Sequence, residues 1–226
     1  MCGRFVRHSS LSLIEKTFNI DSVETRTASS YNIAPAQKLL AVVRDSQNRL
    51  VDLHWGLVPY WAKDRSIGNR LINARAETVA EKPSFRNAFK KRRCLLVADG
   101  FYEWKGEKGN KQPWYLTLPD ENPFAFAGLW ELWSGDKDSK YYSCTIITTA
   151  ASESVSAIHH RMPVILRPHI YHTWLDSAAK DADQLKQLMQ ENHFKDLRCF
   201  PVSKRVNAVA NNDADCIEPL EETIQG

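Results

Sequence analysis

The sequence predicts an α+β protein: one strongly curved, barrel-like, mainly antiparallel β-sheet with short helices at its periphery. Three observations predict it. Strand-like runs dominate the middle of the chain. Helix-like runs are short and lie around those strands rather than among them. Strands and helices do not alternate strictly, which argues against a doubly wound parallel sheet.

The elements follow in order. Ser9 and Ser10 are placed to cap a helix from Leu11 to about Phe18, because a hydroxyl can accept from a free N–H of the first turn. Residues 21–30 are rich in Ser and Thr and read as a loop. Lys38 to Arg44 and Leu50 to Trp55 read as strands around the turn Asp45-Ser46-Gln47-Asn48, a hairpin pattern. Pro59 to Arg70 reads as loop. Pro83 opens a helical stretch through Arg93, since Pro suits a first helical turn, and Cys94 to Ala98 is a short buried strand. Phe101 to Lys105 and Trp114 to Leu118 flank a Gly- and Lys-rich turn and make a second hairpin. Phe124 to Leu132 and Tyr142 to Thr148 read as central strands. A short helix over Ser152 to Ile158 and a short strand over Pro163 to Leu166 come next. Helical stretches at His169 to Trp174 and Asp181 to Glu191, a last strand at Phe200 to Val202 and an irregular tail complete the chain.

Length and composition bound the rest. The 226 residues read as a single domain, 1–226, and a chain this size buries enough surface to hold a core without disulfide or metal. The longest apolar runs, such as Phe124 to Trp130, are far too short to span a bilayer. Arg4, Arg7 and His8 interrupt any signal-peptide apolar core. The expected location is the cytoplasm, on the nucleoid when DNA is bound. Five cysteines (Cys2, Cys94, Cys144, Cys199, Cys216) show no Cys-x-x-Cys spacing, so neither a disulfide framework nor a zinc site is expected. Net charge is only +3, yet residues 1–100 hold 17 Lys and Arg against 9 Asp and Glu. The remainder holds 13 against 18. That asymmetry is compatible with a basic face for a polyanion and also with an unevenly charged, solvated surface.

Three segments carry chemistry. Removal of Met1 would leave Cys2 with a free α-amine and a thiol, whose ordinary pKa values are about 8 and about 8.5. Such an aminothiol condenses with an aldehyde: the amine forms a Schiff base and the thiol closes a thiazolidine ring. Asp99-Gly100-Phe101-Tyr102-Glu103-Trp104 sets a carboxyl among aromatics, surroundings that raise its pKa toward the range of a general acid/base. The bland alternative is an exposed hairpin Glu. Ile158-His159-His160-Arg161-Met162-Pro163 brings two imidazoles and a guanidinium to a helix–strand junction. Adjacent His side chains rarely converge on one ion, so no metal site is read there.

Together these segments are similar to the SOS-response-associated peptidase (SRAP) family, the abasic-site processing proteins. The matching pieces run in the family's order: Cys2-Gly3-Arg4-Phe5, Tyr31-Asn32-Ile33-Ala34-Pro35, Trp55-Gly56-Leu57-Val58-Pro59, Ile72-Asn73-Ala74-Arg75-Ala76-Glu77-Thr78, Ala98 to Trp104, and Ile158 to Val164. The resemblance implies one compact domain with a curved β-sheet core, single-stranded DNA containing an abasic site as partner, and covalent capture of the sugar aldehyde by Cys2 as a thiazolidine. It implies Asn73 as the amide that orients the amine or sugar oxygen, Glu103 as general acid/base, and His159 as the imidazole near the sugar or phosphate. Arg4, Arg75 and Arg161 are implied as phosphate ligands, and Trp61, Pro35 and Thr149 as lining the DNA path. His160 departs from the pattern, since many members carry Asp there. The resemblance also implies a peptidase activity that removes Met1. No cofactor or metal is implied, and a monomer is expected. Two readings of other classes stay open: an N-terminal nucleophile glutamine amidotransferase, which also begins Met-Cys-Gly, and a non-catalytic single-stranded DNA-binding module.

Overall fold

A computed structural model describes residues 2–107, 109–135, 140–178, 181–191 and 193–220. Its strands are β1 (Phe5–Arg7), β2 (Ser22–Glu24), β3 (Ser30–Ile33), β4 (Lys38–Arg44), β5 (Asn48–Trp55), β6 (Asn73–Arg75), β7 (Arg93–Ala98), β8 (Gly100–Lys105), β9 (Gln112–Thr117), β10 (Phe124–Ser134), β11 (Lys140–Ala150), β12 (Arg161–Pro163), β13 (Ile165–Leu166) and β14 (Arg198–Pro201). The helices are α1 (Leu11–Phe18), α2 (Arg86–Lys91), α3 (Glu153–Ser156), α4 (Tyr171–Leu175) and α5 (Ala182–Glu191).

The larger sheet closes on itself. β11, β10, β7, β4 and β5 pair antiparallel in that order. β5 then returns to β11 by a short parallel seam, Ser143 with His54 and Cys144 with Trp55. A five-strand barrel results, which removes the open edges a flat sheet would present. β6 and β12 extend the end of β11, parallel and antiparallel respectively. The second sheet has the order β14-β9-β8-β1-β3 and is antiparallel throughout.

The sequence of the barrel strands explains their packing. Leu40 and Val42 of β4, Leu95 and Val97 of β7, and Ala125 and Ala127 of β10 pack with α1, α2, α4 and α5. The alternate residues Leu39, Ala41, Cys94, Leu96, Phe124 and Phe126 pack with Phe5, Phe101 and Leu116 of the second sheet. Strands covered on both faces read as continuous apolar runs rather than as alternation. The β4–β5 turn is fixed by Asp45, whose Oδ1 accepts from Ser46 N–H at 2.7 Å and Gln47 N–H at 3.4 Å, a side-chain imitation of a backbone turn.

The mainly antiparallel barrel, both hairpins and the Ser10 cap of α1 (Leu13 N–H to Ser10 Oγ, 3.3 Å) agree with the expectations. Others need correction. The 21–30 loop contains β2, an edge strand parallel to β5. The helix expected from Pro83 to Arg93 shrinks to Arg86–Lys91, because Arg93 begins β7. The 59–70 loop winds into a 3-10 turn over Arg65–Arg70, capped by Asp64. No helix among the described residues is long and apolar enough to cross a membrane.

Candidate active site

The site is built around the strand that follows Cys2. Phe5 meets Trp55 edge-on at 5.3 Å and Phe126 at 5.6 Å, which seats β1 against the barrel. The far end of β1 is held by the buried Asp99, whose carboxylate accepts from His8 N–H at 2.5 Å, from Ser9 N–H at 2.9 Å and from the Ser9 hydroxyl. The near end is held by Arg4, which donates to Asn32 Oδ1 at 2.6 Å and to the Val206 carbonyl at 2.8 Å. Asn32 in turn donates to the carbonyls of Val206, Ala208 and Asn211. Cys2 therefore stands at the end of a strand clamped on both sides.

Cys2 is fully buried. Its carbonyl accepts from Asn73 Nδ2 at 2.8 Å, and its thiol points toward the Arg4 carbonyl at 3.9 Å. Asn73 arrives on β6, paired with Ile146 of β11. The preceding Ile72 carbonyl is tied to Trp55 Nε1 at 2.9 Å. Asn73 Oδ1 is buried and has no hydrogen-bond partner among the described residues, so the site keeps one desolvated acceptor beside Cys2.

Glu103 stands on β8, whose Phe101 pairs with Phe5 of β1. Its carboxyl is buried, and burial pushes its pKa up to about 7. Burial also pushes the Cys2 thiol far above its ordinary range, with the Glu103 carboxylate adding to the shift. His159 Nδ1 lies 4.0 Å from Glu103 Oε2. Burial lowers the His159 pKa, which favours the neutral imidazole. The arrangement is a protonated thiol, a carboxyl able to exchange its proton near neutrality, a neutral imidazole and an oriented amide.

The remaining predicted residues fall at different places. Registers on β11 bring Arg75, Thr149 and Arg161 to one edge beside the cluster: Thr148 with Arg75, Thr149 with Met162, Ala150 with Arg161. Arg75 is exposed and Thr149 partly so. The Arg161 guanidinium is turned inward onto Glu77 and the Thr148 carbonyl. Arg4 is likewise engaged internally and lies over the Trp104 ring at 5.9 Å. His160 is exposed and stacks on His159 at 4.4 Å, and competition with the neighbouring His159 for protonation lowers its pKa. Trp61, 47% exposed, and Pro35 join the cluster by no hydrogen bond or ring contact among the described residues. Cys94 and Cys144 are buried in the core. Sequence reasoning passed over Asn32, Glu77 and the anchoring carboxylate of Asp99 as individual residues. All three stood inside the quoted motifs, and polar residues between apolar runs were the available signal. Among the described residues no group of three or more His, Cys, Asp or Glu could hold a metal ion.

Fold and cluster define a barrel protein with a buried, near-terminal cysteine set among a carboxyl, an imidazole and an amide. The family description "SOS response associated peptidase (SRAP)" matches residues 1–209, and the chain belongs to that family. The abasic site processing protein YoqW of Bacillus subtilis is 46% identical over 222 residues, spanning 96% of this chain and 99% of its own. HMCES of Gallus gallus, also named an abasic site processing protein, is 33% identical over 88% of this chain and 68% of its own. A crystal structure of a Bacteroides thetaiotaomicron protein shares the fold with a TM-score of 0.85 at 24% identity, covering 97% of this chain and 100% of that one.

Proposed function

We propose that this protein captures abasic sites in single-stranded DNA through a thiazolidine formed by Cys2 after Met1 has been removed. The observation that carries the reading is the meeting of the buried Cys2 and Glu103 with the partly buried Asn73 and His159 in one cluster. The relatives named for abasic-site processing support it.

The chemistry balances as follows. The ring-opened sugar presents an aldehyde. The Cys2 amine adds to its carbon, a C–N bond forms, and the hydroxyl leaves as water when it is protonated. The thiol then adds to the imine carbon, a C–S bond forms, and the thiol proton ends on nitrogen. One water is released overall. A carboxyl with a pKa near 7 suits both proton steps, since it gives a proton to the departing hydroxyl and takes one from the thiol. Burial, with the Glu103 carboxylate adding to it, disfavours a thiolate, so the thiol attacks with concerted loss of its proton. Asn73 holds the Cys2 backbone and leaves Oδ1 to orient the amine or a sugar hydroxyl. His159 serves the sugar or adjacent phosphate, Arg75 and Thr149 face the strand backbone, and Trp61 and Pro35 line its path. Arg binding of phosphates makes affinity fall with salt. Removal of Met1, by Cys2 itself or by a general aminopeptidase, precedes all of this.

The test is intact mass spectrometry and denaturing electrophoresis after incubation with an abasic single strand. The expected result is a heat-stable adduct with the mass of protein plus DNA minus one water and without Met1. Cys2→Ala is expected to abolish it. An adduct that survives in Cys2→Ala would overturn the reading, and glutaminase activity without an adduct would favour the amidotransferase alternative.

A further inference from the structure

The loop from Gly56 to Leu71 is rooted at the candidate site. Leu57 N–H donates to the Leu71 carbonyl at 3.2 Å, and the backbones of Gly56 and Gly68 touch. Leu71 leads through Ile72 to Asn73, which holds Cys2. Val58 N–H donates to Ser143 Oγ at 2.8 Å, so the loop lies against β11. Farther along, Tyr60 and Trp61 are exposed, and the Ala62 carbonyl accepts from Trp133 Nε1 at 2.7 Å. Residues 57–70 hold three basic side chains, Lys63, Arg65 and Arg70, against the single carboxylate of Asp64. That carboxylate accepts from Ser66 N–H at 2.6 Å.

Arg65 is held by rings instead of by a counter-charge. Trp133 and Tyr141 are paired directly across β10 and β11, which puts both rings on one face of that hairpin. The Arg65 guanidinium carbon lies 5.5 Å from the Trp133 ring centroid and 5.0 Å from that of Tyr141. His54 stacks on the same Tyr141 ring at 4.5 Å. Rings take a guanidinium by its face and leave the N–H groups in its plane available. Those of Arg65 make no hydrogen bond or ion pair among the described residues. Arg93 is the contrast: it is buried and donates to backbone carbonyls. Arg65 is exposed, so its donors face solvent. The rings have already restricted its rotamers, which lowers the entropy lost when an anion docks.

We propose that Arg65, seated on Trp133 and Tyr141, is an outlying phosphate-binding point for the DNA strand that runs on from the lesion. Tyr141 lies five residues along β11 from Ile146, the partner of Asn73, which is about 16 Å of strand. Arg65 therefore meets the strand some nucleotides away from the captured sugar. Its ring seat fixes where that phosphate sits, and the chemistry at Cys2 does not depend on it. The inference rests on the abasic-site reading above and extends its DNA path past Trp61.

The test uses strand length. Two single strands carry a central tetrahydrofuran, which mimics the abasic sugar but offers no aldehyde. One has about 5 nucleotides and covers the site alone; the other has about 20 and reaches Arg65 as well. Kd and its salt dependence are measured for wild type, Arg65→Met and Arg70→Met, together with the adduct rate at saturating abasic strand. Arg70 is an exposed arginine of the same loop with no ring contact among the described residues. For Arg65→Met the long strand should bind about fivefold more weakly, with a salt slope smaller by about 0.7. The short strand should bind as in wild type, and the saturated adduct rate should not change. Arg70→Met should lose less than Arg65→Met on the long strand. An unchanged Kd for the long strand in Arg65→Met would overturn the proposal, as would equal losses on both strands. Equal losses in the two variants would overturn it too, since diffuse charge and not a ring-seated arginine would then hold the strand. If wild type forms no adduct, the abasic-site reading falls, and the long-strand Kd and salt slope still decide the role of Arg65.

Discussion

At the scale of single residues, Glu103 shows how a site can cost the fold stability. Its carboxyl is buried, which raises its pKa from 4.5 to about 7. The folded protein therefore binds that proton more tightly than the unfolded chain does. The protonated carboxyl is well tolerated below pH 4.5, and stability is lost as pH rises through 7. The full loss is about 3 kcal/mol at about 1.4 kcal/mol per pKa unit. Glu103→Gln cannot ionise and escapes it. Urea unfolding should find this variant more stable than wild type by about 3 kcal/mol at pH 8, with the gap closing toward pH 4. The same variant should form adduct more slowly while binding undamaged strands with wild-type affinity. A gap of equal size at pH 4 and pH 8 would mean that shape, not charge, sets the difference. Cys2, Glu103 and His159 were legible in the sequence because their types are chemically conspicuous in those surroundings. The inward turn of Arg4 and Arg161 was not, because a guanidinium reads the same whether it faces a phosphate or Glu77.

At the scale of elements, Arg93 binds two helix ends into the barrel. It is 3% exposed at the start of β7. It donates to the Phe89 and Lys90 carbonyls at the end of α2, at 2.7 and 3.0 Å, and to the Trp174 carbonyl of α4 at 2.7 Å and that of Asp176. Helix C-termini carry unsatisfied carbonyls and partial negative charge, so one cation between two such ends answers both. Burial nevertheless lowers its pKa to about 10, still far above neutrality. Arg93→Met would leave several buried carbonyls without donors and should cost about 3 kcal/mol. Scanning calorimetry should record a fall in Tm on the order of 10 °C for a chain of this length. This demand on Arg93 also explains why the predicted helix ended early: the residue is needed as a strand residue whose side chain reaches back. The long strands of the hairpins were legible from their apolar runs and the Asp45 turn. β1, β3 and β6 were not, because strands of three or four residues carry no readable period and are defined by partners distant in sequence.

At the scale of the whole molecule, barrel closure and site assembly draw on the same residues. The seam between β5 and β11 is continued by Gly56 N–H donating to the Cys144 carbonyl at 2.9 Å. Gly56 has φ +129 and lies against the backbone of Gly68. A Cβ on Gly56 would sit 2.7 Å from the Gly68 carbonyl oxygen, and one on Gly68 2.6 Å from that of Gly56. This bare backbone contact holds the 3-10 turn that leads into Ile72, where Trp55 grips the carbonyl, and the next residue is Asn73 on Cys2. The chain closes its barrel with the same few residues that deliver the amide to the cysteine. Gly56→Ala should therefore lose stability by about 3 kcal/mol from backbone strain and overlap together, and should also slow the adduct reaction. Gly109→Ala is the control: its φ is +98, but an added Cβ there meets nothing within 4 Å. It should lose about 1 kcal/mol and keep the wild-type adduct rate. Measured at a temperature where all three proteins remain folded, a slowed rate in Gly56→Ala alone would tie closure to catalysis. A wild-type rate in Gly56→Ala, despite its lost stability, would show that Asn73 reaches Cys2 without help from the Gly56–Gly68 contact.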